Sequence, residues 1–141
     1  MHIKIILTGK IKEKVYNKKI KKYQEWLSRD SKFEIIVLKN LNKTSNQINK
    51  LKKNNYFCIF LSEYGQNMDS YSFSKFIFSN GEKVAFIIGG PDGHPKNLLK
   101  FTDFKLSLSK MTMPHEMATL VLTEQIYRSF SIKRGSKYHR G

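Results

Sequence analysis

The sequence predicts an α/β domain with a mostly parallel sheet flanked by helices. Short apolar runs rich in Ile, Val and Phe recur along the chain, and segments of helical period separate them. Glycine- or serine-rich loops follow several of these runs, where open α/β sheets gather ligands at the carboxyl ends of strands. At 141 residues the chain is read as one domain, 1–141, large enough for a core without metal or disulfide support.

Residues 2–8 read as a strand ending at Gly9. A helix is expected over 11–29, because Tyr16, Ile20, Tyr23 and Leu27 recur on one face. Lys14, Lys18, Lys21 and Lys22 lie mostly off that stripe and are expected in solvent. Residues 33–38 form a β-branched run suited to a buried strand. A polar helix over 44–54 has Thr44 or Ser45 as its cap. Residues 56–61 make a third strand, ending at the run from Ser62 to Gly65. Asp69 to Ser79 form a helix stopped by Asn80 and Gly81. Residues 83–88 are a fourth strand, and Phe104 to Leu108 a short fifth. Pro114 then opens a helix running to Arg134, with Gly135 as its stop.

Charge restricts the partners. The formal net charge is +15; residues 1–60 hold 15 Lys/Arg against 4 Asp/Glu, and residues 61–141 hold 11 against 7. A polyanionic partner is the simplest account, with the first half as its electrostatic surface. Lysines that are only solvated helix faces remain the alternative. The single cysteine, Cys58, lies in an apolar run and reads as inert packing in a reducing cytoplasm. Four histidines show no ligand spacing, so no metal site is expected. The first apolar run, Ile3 to Leu7, is too short for a signal or a membrane span, and a cytoplasmic protein is expected.

Two loops carry the candidate chemistry. Gly89-Gly90-Pro91-Asp92-Gly93 has neither dinucleotide-fingerprint nor P-loop spacing. Its first two glycines let a backbone or flat ligand approach a strand exit, although Pro-Asp-Gly is also an ordinary turn. The run from Leu108 to Met113 offers main-chain hydrogen bonds and apolar contact, as an adenine or thioether ligand needs; it also serves as a helix lead-in with Thr112 as N-cap. Met117, Ala118, Leu120, Val121 and Leu122 make the last helix apolar nearly all round, which fits either a core helix or a homodimer surface. Beyond it, Tyr127, Arg128, Lys133, Arg134, Lys137, Tyr138, His139 and Arg140 interleave rings and cations, suiting phosphate contact and base stacking or a frayed basic terminus.

Four blocks in order, Ile87-Ile-Gly-Gly-Pro-Asp-Gly93, Leu106-Ser-Leu-Ser-Lys-Met-Thr-Met-Pro-His115, Glu124-Gln-Ile-Tyr-Arg128 and Tyr138-His-Arg140, resemble the ribosomal RNA large-subunit methyltransferase H family of the SPOUT superfamily. The resemblance spans nearly the whole chain. It implies a C-terminal trefoil knot, an exception to the rule against knotted chains, and a homodimer. It also implies S-adenosylmethionine as methyl donor and N3 of a pseudouridine in helix 69 of 23S ribosomal RNA, within the ribosome, as acceptor. Carried onto this sequence, cofactor contacts fall on Leu61, Gly89, Gly90, Leu108, Ser109, Lys110, Met111, Thr112 and Met113. Tyr138, His139 and Arg140 are then expected at the target nucleotide, from the partner subunit, with His139 as proton acceptor. Ser62 and Gln66 stand where relatives carry an acid and a lysine, and His94-Pro95 replaces a leucine. A non-enzymatic RNA-binding module on the same fold, and a related knotted enzyme methylating a ribose or another base, are the rival readings.

Overall fold

The computed structural model describes residues 1–90 and 93–140. Its sheet has five strands, β1 (His2–Thr8), β2 (Lys32–Leu38), β3 (Phe57–Asn67), β4 (Lys83–Ile88) and β5 (Phe104–Ser107). They stand in the order β2-β1-β4-β3-β5, and every neighbouring pair is parallel. The helices are α1 (Lys14–Leu27), α2 (Leu41–Lys53), α3 (Ser70–Ser79) and α4 (His115–Arg134), with a 3-10 segment at Lys96–Phe101.

Alternation along the strands sorts the apolar residues onto two faces. Ile3, Ile5 and Leu7 of β1 join Val84, Phe86 and Ile88 of β4 in a core shared with Leu27, Ile77, Leu122 and Ile126 of α1, α3 and α4. Ile6, Phe60, Ala85 and Ile87 face the opposite way, against Ile48 and Leu51 of α2 and Leu98 of the 3-10 segment. Both faces are covered, which is why β1 and β4 read as nearly continuous apolar runs. The chain leaves β1 for β2 on one side and leaves β4 for β5 on the other. Strand order therefore reverses between β1 and β4, the usual place for a ligand crevice in an open sheet.

Several expectations need correction. No residue of β2 is fully buried, because β2 is an edge strand with only β1 beside it. Helix α2 starts at Leu41, and its cap is Asn40, whose side chain accepts from the Lys43 N–H at 2.9 Å. Thr44 lies inside the helix, and its hydroxyl bonds that of Thr8 at 2.8 Å. Helix α4 has Pro114 as N-cap without a side-chain cap; the Thr112 hydroxyl turns to Glu63 instead. The 3-10 segment had no distinct periodic signal, and it is too short to show one.

Local chemistry accounts for the other boundaries. Asp69 caps α3 by accepting from the Ser72 N–H at 2.8 Å, a bond that holds its carboxyl below the ordinary range. Gly135 takes a left-handed conformation (φ 70°) and closes α4, as a glycine after a helix commonly does. Glu13 gives α1 no side-chain cap, and the Glu116 carboxylate of α4 accepts from the backbone N–H groups of Lys12 and Glu13 instead. Asp103 binds Lys52 at 2.6 Å and accepts from the Cys58 N–H at 2.8 Å, pinning the entry to β3. Burial pushes the Cys58 thiol up to about 11, so it stays protonated in the core.

Candidate active site

Three loops at the carboxyl end of the sheet enclose a cleft of about 850 Å³. That volume lies within the roughly 300–1,000 Å³ of small-molecule sites. Leu61 contributes from β3, and Gly89 and Gly90 from the turn after β4. Leu108, Ser109, Met111, Thr112 and Met113 contribute from the loop after β5. Lys110 is exposed and does not line the cleft. Pro91 and Asp92, the middle of the expected turn, lie outside the described residues, as does Gly141.

The glycines are needed for close approach. A Cβ on Gly89 would sit 2.9 Å from the Gly93 carbonyl carbon and 3.0 Å from its oxygen. The Gly93 N–H bonds the Gly90 carbonyl at 3.0 Å, so Gly93 lies directly against the strand exit. Gly93 itself has φ 74°, a left-handed conformation that glycine adopts without strain. On the facing strand, Leu61 and Gln66 both pair with Leu106, which forces residues 62–65 out of the ladder as a bulged loop. Gly65 lies against the β5 backbone, where a Cβ would approach Lys105 to 2.7 Å.

Two side chains in the cleft carried no sequence signal. Glu63 accepts a hydrogen bond from Thr112, linking the β3 and β5 loops across the mouth. His94 donates from Nε2 to the Leu61 carbonyl at 2.7 Å, and its ring stands 4.9 Å from Phe60. Burial holds its imidazole below the ordinary value of 6.5, and the bond to Leu61 opposes that only in part. The unfolded chain therefore binds a proton here more readily than the folded one. Stability from this group is intact above 6.5 and falls as pH drops towards the folded value. Thermal melts between about pH 7 and pH 5 should show that decline. In His94→Leu the decline should be shallower; an unaltered profile would remove His94 as its source.

Two of the three tail residues, Tyr138 and His139, are held elsewhere in the same chain. The Tyr138 hydroxyl donates to Glu124 Oε1 at 3.1 Å and lies 3.4 Å from the Tyr23 hydroxyl. Burial, with those two hydrogen-bond partners, raises its phenol well above the ordinary value. Its ring packs edge-on to Tyr127 at 4.9 Å and under the Arg128 guanidinium at 4.8 Å. Arg128 Nη1 donates to His139 Nδ1 at 2.9 Å, which leaves the ring proton on Nε2. Arg128 is itself held by Glu124 at 2.6 Å, and the His139 ring meets Tyr71 edge-on at 4.6 Å. Arg140 is exposed, and none of the three tail residues lines the cleft of its own chain. Among the described residues, no three His, Cys, Asp or Glu side chains gather as a metal site requires. No helix there is long and apolar enough to cross a membrane.

Comparison with known proteins gives this arrangement a family. Residues 1–139 match the family described as "Predicted SPOUT methyltransferase". The chain is 39% identical to the "Ribosomal RNA large subunit methyltransferase H" of Acetivibrio thermocellus, across 99% of this chain and 100% of that protein. It is 38% identical to the protein of the same name from Kosmotoga olearia, across 99% of each. Among solved structures, it superposes on the SpoU methyltransferase AviRb from Streptomyces viridochromogenes, in complex with AdoMet, with a TM-score of 0.56. That match covers 96% of this chain and 59% of the other at 10% identity, a likeness of fold alone. With near full-length matches at this level of identity, the chain belongs to the ribosomal RNA large subunit methyltransferase H family of SPOUT methyltransferases.

Proposed function

We propose that this protein transfers a methyl group from S-adenosylmethionine to N3 of a pseudouridine in helix 69 of 23S ribosomal RNA. It acts in the cytoplasm on the ribosome, as a homodimer whose protomers each form one domain, residues 1–141, with a C-terminal trefoil knot. The observation that carries this reading is the cleft at the glycine turn. Its wall at Gly89 has no room for a side chain, and the loop from Leu108 to Met113 faces it. Such a surface of bare backbone and apolar side chains fits an adenosyl group and a thioether chain. The bound cofactor would supply an electrophilic methyl on a sulfonium.

The chain's own residues have two tasks: alignment of the acceptor nitrogen with that methyl, and removal of the N3 proton. Alignment in a cleft whose β3 and β5 loops are tied together by the Glu63–Thr112 hydrogen bond is the larger contribution, worth up to about 7–11 kcal/mol in the best cases. His139 of one protomer takes the N3 proton at the cleft of the other, with Tyr138 orienting the base and Arg140 on phosphate or the developing anion. Accepting that proton at Nδ1 requires the hydrogen bond from Arg128 to break, so the packed tail is a resting arrangement. Partial exposure of Met117, Leu120 and Val121 on α4 supports the pairing of two chains.

The deciding experiment supplies labelled S-adenosylmethionine and unmodified ribosomes, then maps the methyl group by nucleoside mass spectrometry. Label on N3 of the helix 69 pseudouridine is expected. Label on a ribose or another base would overturn the substrate assignment. Cofactor binding without transfer to ribosomes or RNA would overturn the reaction.

RNA affinity is expected to draw on α1, whose Lys14, Lys18 and Lys21 are all exposed. Changing the three to alanine should flatten the salt dependence of RNA binding by about 0.7–0.9 log units for each phosphate no longer neutralised. An unchanged slope in a filter-binding series would take α1 out of the RNA surface.

A further inference from the structure

We propose that Tyr64 forms a stacking subsite at the mouth of the cleft for one unpaired base of the RNA, flanked by Lys105 and Lys110 on its phosphates. The subsite rests on the reading that the substrate is RNA, but not on the particular nucleotide methylated. Tyr64 is 88% exposed and Met111 79% exposed, and both line the cleft. Lys105 and Lys110 are exposed beside them. Single exposed apolar side chains are ordinary on protein surfaces, so exposure alone decides nothing.

The loop that presents Tyr64 is what sets it apart. The register jump from Leu61 to Gln66 extrudes four residues, Tyr64 among them. Each side of it is tied down: the Tyr64 N–H donates to Ser62 Oγ at 3.2 Å, and Glu63 accepts from Thr112. Gly65 is pressed onto the β5 backbone, and His94 bonds the Leu61 carbonyl at the loop's origin. A large ring is thus held in water by an anchored loop, so little further ordering is needed when a planar group stacks on it.

A planar ligand here has two possible sources, the adenine of the cofactor and a base of the RNA. Tyr64 is turned almost wholly to solvent, so it meets what crosses the mouth rather than what fills the interior. The two lysines complement a polyanion, as does the net charge of +15. Aromatic platforms with flanking cations are the recurrent way to hold single-stranded nucleic acid without base-edge readout.

The test is anisotropy titration of a fluorescein-labelled uridine octamer, with S-adenosylmethionine titrated separately by calorimetry. Tyr64→Ala should raise the octamer dissociation constant about five- to a hundred-fold, the effect of removing one base–aromatic stack. Tyr64→Trp should stay within about twofold of wild type, because the ring and not the hydroxyl is used. Lys110→Ala should lower the salt slope by about 0.7, as for one phosphate of a single strand. Cofactor affinity should be unchanged in both Tyr64 variants. Octamer binding by Tyr64→Ala equal to wild type, or no octamer binding by the wild type, would overturn the subsite. Weakened cofactor affinity with octamer binding intact would assign the ring to adenine and overturn it as well. The octamer assay involves no methylation, so a wrong acceptor nucleotide would leave its outcome untouched.

Discussion

A His139→Ala variant should lose about a hundred- to ten-thousand-fold in kcat, the range for removal of a positioned general base. In the proposed reaction the N3 proton leaves as the nitrogen attacks, and His139 carries an unprotonated ring nitrogen that can accept it. Affinity for S-adenosylmethionine should be unchanged, because His139 does not line the cleft of its own chain. RNA affinity should also persist, since Arg140 and the lysines of α1 are left in place. Single-turnover assays on ribosomes, with binding measured separately, read this split. Wild-type turnover would remove His139 as the base. A companion change, Arg128→Ala, removes the donor to Nδ1 and the ion pair to Glu124, and leaves the Tyr138–Glu124 hydrogen bond in place.

Replacing Gly89 with valine should weaken S-adenosylmethionine binding by at least about tenfold, and loss of detectable binding is the expected calorimetric result. The first added carbon would stand 2.9 Å from the Gly93 backbone, and the neighbour it meets is main chain, which cannot rotate away. The turn must open, and Gly90 and Gly93 would move with it; both line the cleft. Circular dichroism and thermal melting should show a folded protein, since the turn lies at the end of β4 rather than within the core. Full-strength cofactor binding by a folded Gly89→Val protein would place the cofactor away from the glycine turn. A site formed by the loops after β3 and β5 alone would then be the remaining arrangement.

Much of the fold was legible along the chain because each element carries its own period. Strands β1 and β4 have the bounds read from their apolar runs, 2–8 and 83–88, since both are buried on two faces. Helix α4 was legible from Pro114 and Gly135, whose backbone preferences mark its two ends. Errors arose where a distant part of the chain decides the outcome. Edge position left β2 half-exposed, although its β-branched run reads as a buried strand. Thr112 was drawn to Glu63, 49 residues away, and not to the helix it precedes.

The candidate site divides in the same way. Leu61, Gly89, Gly90 and the loop from Leu108 were legible because glycines and strand ends mark positions that need close backbone approach. Glu63 and His94 were not, since a carboxylate on a bulge and a histidine in a loop have no spacing that predicts their partners. The succession of strands and helices, the excess of positive charge and the family are readable along the chain, because they rest on local period, composition or contiguous blocks. Tertiary structure alone decided the sheet order β2-β1-β4-β3-β5, the bulge that presents Tyr64 and the packing of the tail on Arg128 and Glu124. Those features depend on the meeting of residues far apart in the chain, and no local pattern of side chains encodes which distant backbone will lie about 3 Å away.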